Sequence, residues 1–464
     1  MEVFMRRNLK YLSFSTIFGF LSAQSPWLLT SDPVGIARSG AQVAFGRSLE
    51  ASTFNPALLT TLQDRRSVFV SFGLEMQSTQ QTLQSNQTTL YSSDRNRSIP
   101  AFGLAWKVNS NWTLGLHSEN TFSRHLDFDT GSFGRFFGDR LSLVSRQTLV
   151  QFAFSPSTHP EFSVGIGMGM LNVDYVGGLS LRSAIPSNPN ASVSPTNPSL
   201  GVLEQRLMQS GSMSRPAFQL GGRWAINSRW SMGFAYQSGA KESFSLTAKT
   251  FGAPSYYSNT GFGNPLVGGT TSASTLLANS TPRAGAGSLE LPSRFTWGIR
   301  FRPNTSFTME LDIRRLSGNF SIPDWPSLLN TTGTIGSPSV LSFAPSANSL
   351  RSGRPSMGFS LGADITLDQS WILRAGFSQD QSTLSDAYVN PVLGGSASAT
   401  FSAGLSYIGL GGEWSLGYQL RQSRDVESRT LDGSWNVGGF TPTGTPVGLE
   451  GMGHMIAVGY KTRF

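Results

Sequence analysis

At 464 residues the chain has room for two or three ordinary domains or for one large closed sheet, and its composition favours the sheet. Charged residues make up 13% of the chain, about half of the share in soluble domains, yet the mean hydropathy of -0.13 is ordinary. The net charge of +8 is spread along the chain without a basic run, which argues against nucleic-acid binding, and the absence of cysteine excludes a disulfide framework. Low charge with ordinary hydropathy is expected when lipid-facing and water-facing residues alternate.

Residues 1–23 have the features of a cleaved signal peptide. A basic segment ends at Lys10, an apolar segment runs from Tyr11 to Leu21, and small residues precede Gln24. A helix needs about 20 apolar residues to span a bilayer, and this apolar segment is much shorter. No later segment approaches that length, so we expect an exported chain that crosses a membrane as strands.

Residues 24–65 form a segment without alternation, and it ends with the motif Asn55-Pro56-Ala57. The segment is too rich in large apolar side chains to remain a disordered tail. We therefore expect it to fold as a separate element ahead of the first strand.

From residue 66 onward the sequence alternates between large apolar residues and small or polar ones. In the last segment, for example, small or charged residues separate Ile456, Val458 and Tyr460, which places the two sets on opposite faces of a strand. Fourteen such segments occur, at 66–77, 99–108, 111–119, 143–156, 160–175, 205–225, 228–248, 288–302, 305–317, 354–366, 369–380, 397–409, 412–424 and 452–464. The polar face carries small residues and isolated charges, as in a wet lumen, so we predict an all-β, membrane-spanning antiparallel β-barrel of about 14 strands over residues 66–464.

The connections between these segments alternate between short polar turns, such as 109–111 and 226–228, and connections of up to tens of residues. Outer-membrane barrels have short periplasmic turns and long external loops. Aromatic residues follow the short turns and predict an interfacial girdle: Trp112, Phe162, Trp230, Phe307, Trp371 and Trp414. The terminal Phe464 resembles the C-terminal aromatic signature of such barrels, which predicts contact with the barrel-assembly machinery. Fourteen strands enclose a lumen wider than side chains fill, so we expect residues 24–65 to lie inside it as a plug.

Several segments resemble the FadL/TodX family of outer-membrane transporters for long-chain fatty acids and aromatic hydrocarbons. They are GIARSG at 35–40 with FNPAL at 54–58, FQLG at 218–221, LPSRFTWG at 291–298 and WILRAGF at 371–377. The resemblance runs through nearly the whole mature chain in the same order. It implies a fourteen-stranded barrel with residues 24–65 as an N-terminal hatch, in which Asn55, Pro56 and Ala57 form the hatch motif.

The resemblance also implies a path for the ligand. External loops would capture it, a site beside the hatch would hold it, and a kinked third strand would release it sideways into the outer-membrane lipid. We place the kink at Ser118, Glu119 and Asn120, where the alternation lapses. The capture loops would be 176–204 and 249–287. Apolar residues of the second loop are Phe251, Tyr256, Tyr257, Phe262, Leu266, Val267, Leu276 and Leu277. These side chains either bind ligand or pack the loop over the barrel mouth, and candidates for meeting a carboxylate are Arg182, Arg206 and Arg283.

Motifs that would suggest an enzyme have simpler explanations. Residues 358–362 fit the G-x-S-x-G pattern of serine hydrolases, but they lie inside an alternating strand rather than at a strand-to-helix elbow. The four histidines, His117, His125, His159 and His454, lack the spacing of a metal site. Glu310, Asp312 and Arg314 share one face and are better explained as a structural charge network in the lumen. We expect no catalytic residues, metal or cofactor.

The sequence thus predicts passive uptake of hydrophobic small molecules through an outer-membrane channel. A structural or secretion-associated barrel of the same architecture, with a protein partner, is the alternative. A general porin for polar solutes is disfavoured by the plug.

Overall fold

The computed structural model describes residues 30–46, 49–83, 88–91, 97–127, 140–186, 199–258, 283–317, 333–334, 340–341, 355–381, 397–409, 411–423, 426–428 and 447–463. The expected signal peptide and Phe464 lie outside these residues. Among the described residues, no helix has the length and apolar character that a membrane-spanning helix needs.

Fourteen antiparallel strands form one closed barrel. The first seven are β1 Arg66–Leu83, β2 Arg97–Lys107, β3 Trp112–Asp127, β4 Arg140–Phe154, β5 Phe162–Pro186, β6 Ser199–Trp224 and β7, which has two segments, Trp230–Gln237 and Ala240–Ser258. The other seven are β8, with segments Arg283–Leu291 and Ser293–Phe301, β9 Phe307–Ser317, β10 Ser356–Thr366, β11 Trp371–Asp380, β12 Ser398–Gly409, β13 Gly412–Ser423 and β14 Val447–Arg463. Pairing of β1 with β14, from Ser67↔Arg463 to Leu83↔Val447, closes the barrel.

Four short strands lie outside this series. Thr88–Tyr91 pairs with the outer end of β1, and Val426–Ser428 pairs with the outer end of β14. Gly333–Thr334 and Val340–Leu341 pair with each other in the connection between β9 and β10.

Four of the short turns share one local hydrogen-bond pattern. The side chains of Asn109, Asn227, Asn304 and Asp368 each accept hydrogen bonds from the backbone N–H groups two and three residues further on, at 2.7–3.0 Å. Such Asx turns fix a tight connection and set the register of the hairpin that follows. All four turns lie at the same end of the barrel.

The aromatic girdle predicted from the sequence lies at this end. Trp112, Trp230, Trp371 and Trp414 are all exposed on the outer wall, the last by 55%. Each packs on an aromatic ring of the neighbouring strand at 4.5–4.9 Å between centroids. Exposed aromatic rings in a band suit the interface between lipid and water.

Several strands extend further outward than the sequence suggested. The expected loop at 176–204 contains the outer ends of β5 and β6, which pair with each other as far as Pro186↔Ser199. The expected loop at 249–287 likewise contains the ends of β7 and β8. The prediction was wrong there because alternation fades where a strand leaves the lipid, while backbone pairing continues without it.

Residues 30–46 and 49–62 fold inside the barrel. They form the short helix α1, Pro33–Ala37, and two turns of 3-10 helix, Leu49–Thr53 and Pro56–Thr61. Proline at the start of α1 and of the second turn suits a first helical position, where the missing N–H costs nothing. Nearly every residue from Thr30 to Leu59 that the structure describes is buried.

Candidate functional site

The Asn55-Pro56-Ala57 motif joins the hatch to the wall. The side-chain oxygen of Asn55 accepts the N–H of Ala57 at 3.0 Å and so caps the 3-10 turn. Its amide nitrogen donates to the carbonyl oxygens of Val43 at 2.7 Å and of Gly222 at 3.0 Å. One buried side chain thus connects the turn, a second hatch segment and β6.

Glycines in the wall make room for this motif. A Cβ on Gly165 of β5 would lie 2.5 Å from the backbone nitrogen of Ala57, and one on Gly221 of β6 would collide with the side chain of Asn55. A side chain at either position would push the hatch away, which explains the small residues on the lumen face here.

On the opposite wall the hatch is held by charge. Arg38 lies at the end of α1, is 1% exposed, and forms ion pairs with Glu310 of β9 at 2.8 Å and Asp364 of β10 at 3.4 Å. Glu310 also accepts the backbone N–H of Ala44 at 2.5 Å. Buried charges need this kind of pairing, because an isolated one loses its hydration without compensation.

Asp312 of β9 completes this attachment. One carboxylate oxygen accepts the backbone N–H groups of Gln42 at 2.9 Å and Val43 at 3.1 Å. The proposed structural charge network around Glu310 and Asp312 is therefore found in the structure, where it binds the hatch backbone.

The charges continue toward the periplasmic end. Arg374 lies 3.6 Å from Asp364 and 3.3 Å from Glu413, and Glu413 pairs with Lys461 at 2.8 Å. These side chains, with Arg38, border a cavity of about 340 Å³ beneath the hatch. Its lining is too charged for an apolar ligand.

A second cavity lies above the hatch and holds about 40 Å³. Its walls are Thr30 and Phe54 of the hatch and residues of six strands, Glu119, Thr121, Gln147, Leu171, Gln237, Ser238, Gly239, Leu291, Pro292, Arg294 and Leu316. Thr30 donates to Glu119 at 3.3 Å, and the side chains of Gln147 and Gln237 hydrogen-bond across the lumen. We call this space the upper pocket.

The third strand changes course beside the upper pocket. Its pairing with β2 ends at Phe102↔Ser118, and its register against β4 shifts between Asn120 and Phe122. Before this point buried and more exposed residues alternate, but Ser118, Glu119 and Asn120 are all buried in succession. A strand in the wall buries only every second residue and a register shift bends a strand, so β3 bends here. The lateral opening that the sequence analysis placed at these three residues stays a prediction.

The side chains of the other residues predicted to contact ligand lie outside the described residues. Phe251, Tyr256 and Tyr257 lie on β7, whose side chains there are outside the described residues, and Phe262, Leu266, Leu276 and Leu277 lie between 259 and 282, which is also outside them. The side chains of Arg182, Arg206 and Arg283 are not described either.

The residues that could have suggested an enzyme make structural contacts instead. The hydroxyl of Ser360 donates to the backbone oxygen of Ser39 at 2.5 Å and accepts from Arg314, so it docks the hatch. His454 bonds the Tyr418 hydroxyl at 2.9 Å. Among the described residues, no group of His, Asp and Glu could hold a metal ion.

Two arginines are central here, the buried Arg38 and the half-buried Arg294, and the sequence argument did not single them out. Arg38 sits in the hatch segment GIARSG, and Arg294 follows the Leu291-Pro292 step in β8. An arginine inside an otherwise apolar or small-residue segment is the signal that was available for both, since a buried arginine needs an anionic partner.

Comparisons with known proteins agree with this geometry. The family described as "Outer membrane protein transport protein (OMPP1/FadL/TodX)" matches residues 28–464. A FadL homologue from Pseudomonas aeruginosa is 15% identical with a TM-score of 0.70, covering 95% of this chain and 100% of its own. The toluene transporters TodX of P. putida and TbuX of Ralstonia pickettii are 13% and 16% identical with TM-scores of 0.59 and 0.56, each covering 93% of this chain and 98% of its own. None of the curated proteins compared matched the sequence.

Proposed function

Because this chain belongs to the OMPP1/FadL/TodX family of outer-membrane transport proteins, we propose that it is a passive channel for long-chain fatty acids or aromatic hydrocarbons that releases its ligand sideways into the bilayer. The family consists of transport proteins rather than enzymes, and its members lie in the outer membrane. Placement in a transport family also weighs against a purely structural or secretion-associated role.

The observation that carries the proposal is the position of the upper pocket beside the bend in β3. Glu119 and Thr121 of β3 line the pocket, and the ladder to β2 has already ended at Ser118. A ligand in the pocket is therefore separated from the lipid by an unpaired stretch of wall. We call this stretch the β2/β3 seam.

The route down through the barrel is unfavourable for such a ligand. It passes the hatch and then the lower cavity, where Arg38, Asp364, Arg374 and Glu413 form a continuous chain of ion pairs. An apolar molecule entering there would strip hydration from these charges without replacing it. Lateral release avoids that cost.

The outer wall offers a surface for a molecule that has left. An open apolar groove follows β1, β2 and β3 just below the β2/β3 seam, and its side chains are Val68, Leu104, Trp106, Leu114 and Leu116. Because the groove lies directly beside the seam, a hydrophobic ligand could pass from the seam into lipid without contacting water.

The structure represents a closed state of this channel. The upper pocket holds about 40 Å³, whereas an apolar cavity known to bind benzene holds roughly 150 Å³. Thr30 and Glu119 meet across this space at 3.3 Å. Ligand binding therefore requires that the hatch and β3 separate here.

Arg294 is our candidate for binding a carboxylate. It lines the upper pocket together with Glu119 and Thr121 of β3. A fatty-acid carboxylate that enters the pocket would pair with this guanidinium. An aromatic hydrocarbon has no such group and would depend on the apolar lining alone.

The first test is saturable binding of a fluorescent long-chain fatty acid to the purified protein in detergent. A variant that lacks residues 24–60 serves for comparison, with its barrel checked by circular dichroism. The proposal predicts binding to the intact protein and its loss in the folded truncated variant. If neither fatty acids nor aromatic hydrocarbons bind, the transporter hypothesis is wrong.

The ligand class is tested by Arg294→Met. A hydrogen bond to a charged group contributes about 1.5–3 kcal/mol, so fatty-acid affinity should fall by roughly ten- to a hundredfold while toluene affinity is unchanged. Arg229→Met, in an exposed turn, is the matched control and should alter neither affinity. Equal loss for both ligands would show that Arg294 shapes the pocket rather than binds a carboxylate.

A further inference from the structure

The wall contains a second interruption, between β6 and β7. These strands pair at their inner ends, from Gln219↔Gln237 to Trp224↔Met232, and again further out, from Gly201↔Ser258 to Ser210↔Thr247. Between those stretches the ladder stops after Phe218 and Ser238 bond each other, although residues 211–217 and 240–246 are described and remain paired with β5 and β8. We call this stretch the β6/β7 seam.

The two seams begin at the same height. Six residue pairs join β2 to β3, from Lys107↔Thr113 to Phe102↔Ser118, and six join the inner ends of β6 and β7. Six pairs at about 3.4 Å each cover roughly 20 Å along a strand, and the tilt of barrel strands reduces this to about 15 Å. The apolar band of an outer-membrane barrel is about 25 Å tall, so both seams begin within it.

The same short sequence marks the start of both seams. Residues 98–102 read Ser-Ile-Pro-Ala-Phe on β2, and residues 214–218 read Ser-Arg-Pro-Ala-Phe on β6. A proline has no N–H to give to a neighbouring strand and is tolerated where a strand has a free side. Pro100 and Pro216 therefore favour an unpaired wall beside them, at equivalent positions of the two strands.

Both seams also border the upper pocket. Its lining includes Glu119 and Thr121 at the bend of β3, and Gln237, Ser238 and Gly239 at the break in β7. On the outer wall the β6/β7 seam begins beside Phe218, which is 50% exposed toward lipid. One internal space thus adjoins two unpaired stretches of wall, four strands apart.

We propose that the β6/β7 seam is a second lateral port, through which a hydrophobic ligand enters the upper pocket from the outer leaflet. This inference rests on the proposed function, since it needs the pocket to hold such a ligand. With one port at β6/β7 and one at β2/β3, the pocket is a passage between two points of the bilayer rather than a site reached only from the external loops.

The test exploits the absence of cysteine in the chain. Pro216→Cys with Ala240→Cys places one thiol on each side of the β6/β7 seam, and a short bis-maleimide then links the strands. The control is Leu220→Cys with Tyr236→Cys, which face each other in the paired stretch below. Both proteins are placed in phospholipid nanodiscs, and binding of a lipid-dissolved fluorescent fatty acid is followed in time.

Linking across the β6/β7 seam should slow association of the fatty acid by about tenfold, and linking in the control should leave the rate unchanged. An unchanged rate in the linked seam variant would overturn the port. Absence of binding to the unmodified protein would instead refute the proposed function.

A second measurement needs no link across the wall. Ala217→Cys on β6 and Ala153→Cys on β4 both place a thiol at a buried, lumen-facing alanine. A maleimide dissolved in the lipid should label the first at least about tenfold faster, because only that site adjoins the β6/β7 seam. Equal labelling rates would contradict the proposal even if the linked variant fails to fold.

Discussion

The two sides of the barrel hold the hatch by different chemistry. Strands β9 and β10 bind it through buried charges, with Arg38 between Glu310 and Asp364. Strands β4 and β6 bind it through neutral amides, since Gln151 donates to the backbone oxygen of Ser52 and Gln219 to that of Thr53, each at 2.8 Å.

This difference follows the continuity of the wall. From β9 to β14 neighbouring strands pair without a break over their described length. Both seams lie on the other side, between β2 and β8. Buried ion pairs fix one geometry and tolerate little movement, whereas neutral amide contacts are cheaper to break. The side that anchors the hatch through buried charges is therefore separate from the side on which we propose that the wall opens.

The largest effect should come from removing the anchor. Arg38→Met leaves Glu310 buried without its cation and Asp364 with Arg374 alone, and breaking a buried pair such as Arg38–Glu310 costs about 3–5 kcal/mol. The hatch should loosen, which would appear as raised ion conductance in planar bilayers. Lys241→Met removes a partner of Glu290 in an ion pair whose lysine is 76% exposed, and should cost under about 1 kcal/mol. Equal conductance of the two variants would disprove the anchoring role.

A smaller effect is expected on the opening side. Gly221→Ala places a methyl group against Asn55, and such overpacking costs about 1–3 kcal/mol. Hydrogen exchange should accelerate in residues 49–62, while the region around Arg38 stays protected. Gly411→Ala, where a Cβ would meet only the Tyr460 hydroxyl at 3.4 Å, should change nothing. Faster exchange throughout the hatch would mean that the two sides are not independent.

The smallest effect should be a pH dependence confined to α1. Burial raises the pKa of Asp32 to about 7, with the negative charge of Glu50 adding to the shift, although its oxygens accept the N–H groups of Val34 and Gly35. An acid whose pKa is raised on folding stabilises the fold fully below its ordinary value of 3.8, and that contribution is lost as the pH rises through about 7.

A spin label on α1 should therefore become more mobile between pH 5 and pH 8, by up to about tenfold in the mobile fraction. Asp32→Asn keeps an N-cap side chain and should show no pH dependence. Mobility that increases on acidification would have the wrong sign for a buried neutral acid.

Local patterns in the sequence were sufficient to predict the barrel but not to predict the upper pocket. Period-two alternation, short turns after Asn109 and Asp368, and the aromatic girdle depend on neighbours along the chain, so the strand number and orientation could be predicted. Contacts such as Arg38 with Glu310 join residues 272 apart, and nothing local specifies them.

The loss of apolar–polar alternation at Ser118 in the sequence coincides with an irregularity of β3 in the structure. The break at Ser238-Gly239 was missed, because residues 228–248 were interpreted as one continuous strand. The positions of proline residues indicate interrupted strand pairing better than the alternation pattern does. Pro100 and Pro216 lie in strands beside stretches where pairing stops, and Pro292 lies between the two segments of β8.

The link between hatch and wall sets how far the hatch can travel. The ammonium group of Lys107 on β2 donates a hydrogen bond to the carbonyl oxygen of Leu62 at 2.6 Å. Only residues 63–65 separate Leu62 from the first strand. Three extended residues reach about 10 Å, far less than the depth of the lumen. This short covalent link lets the hatch tilt or shift in place but does not let it leave the barrel. A transported ligand must therefore pass around the hatch.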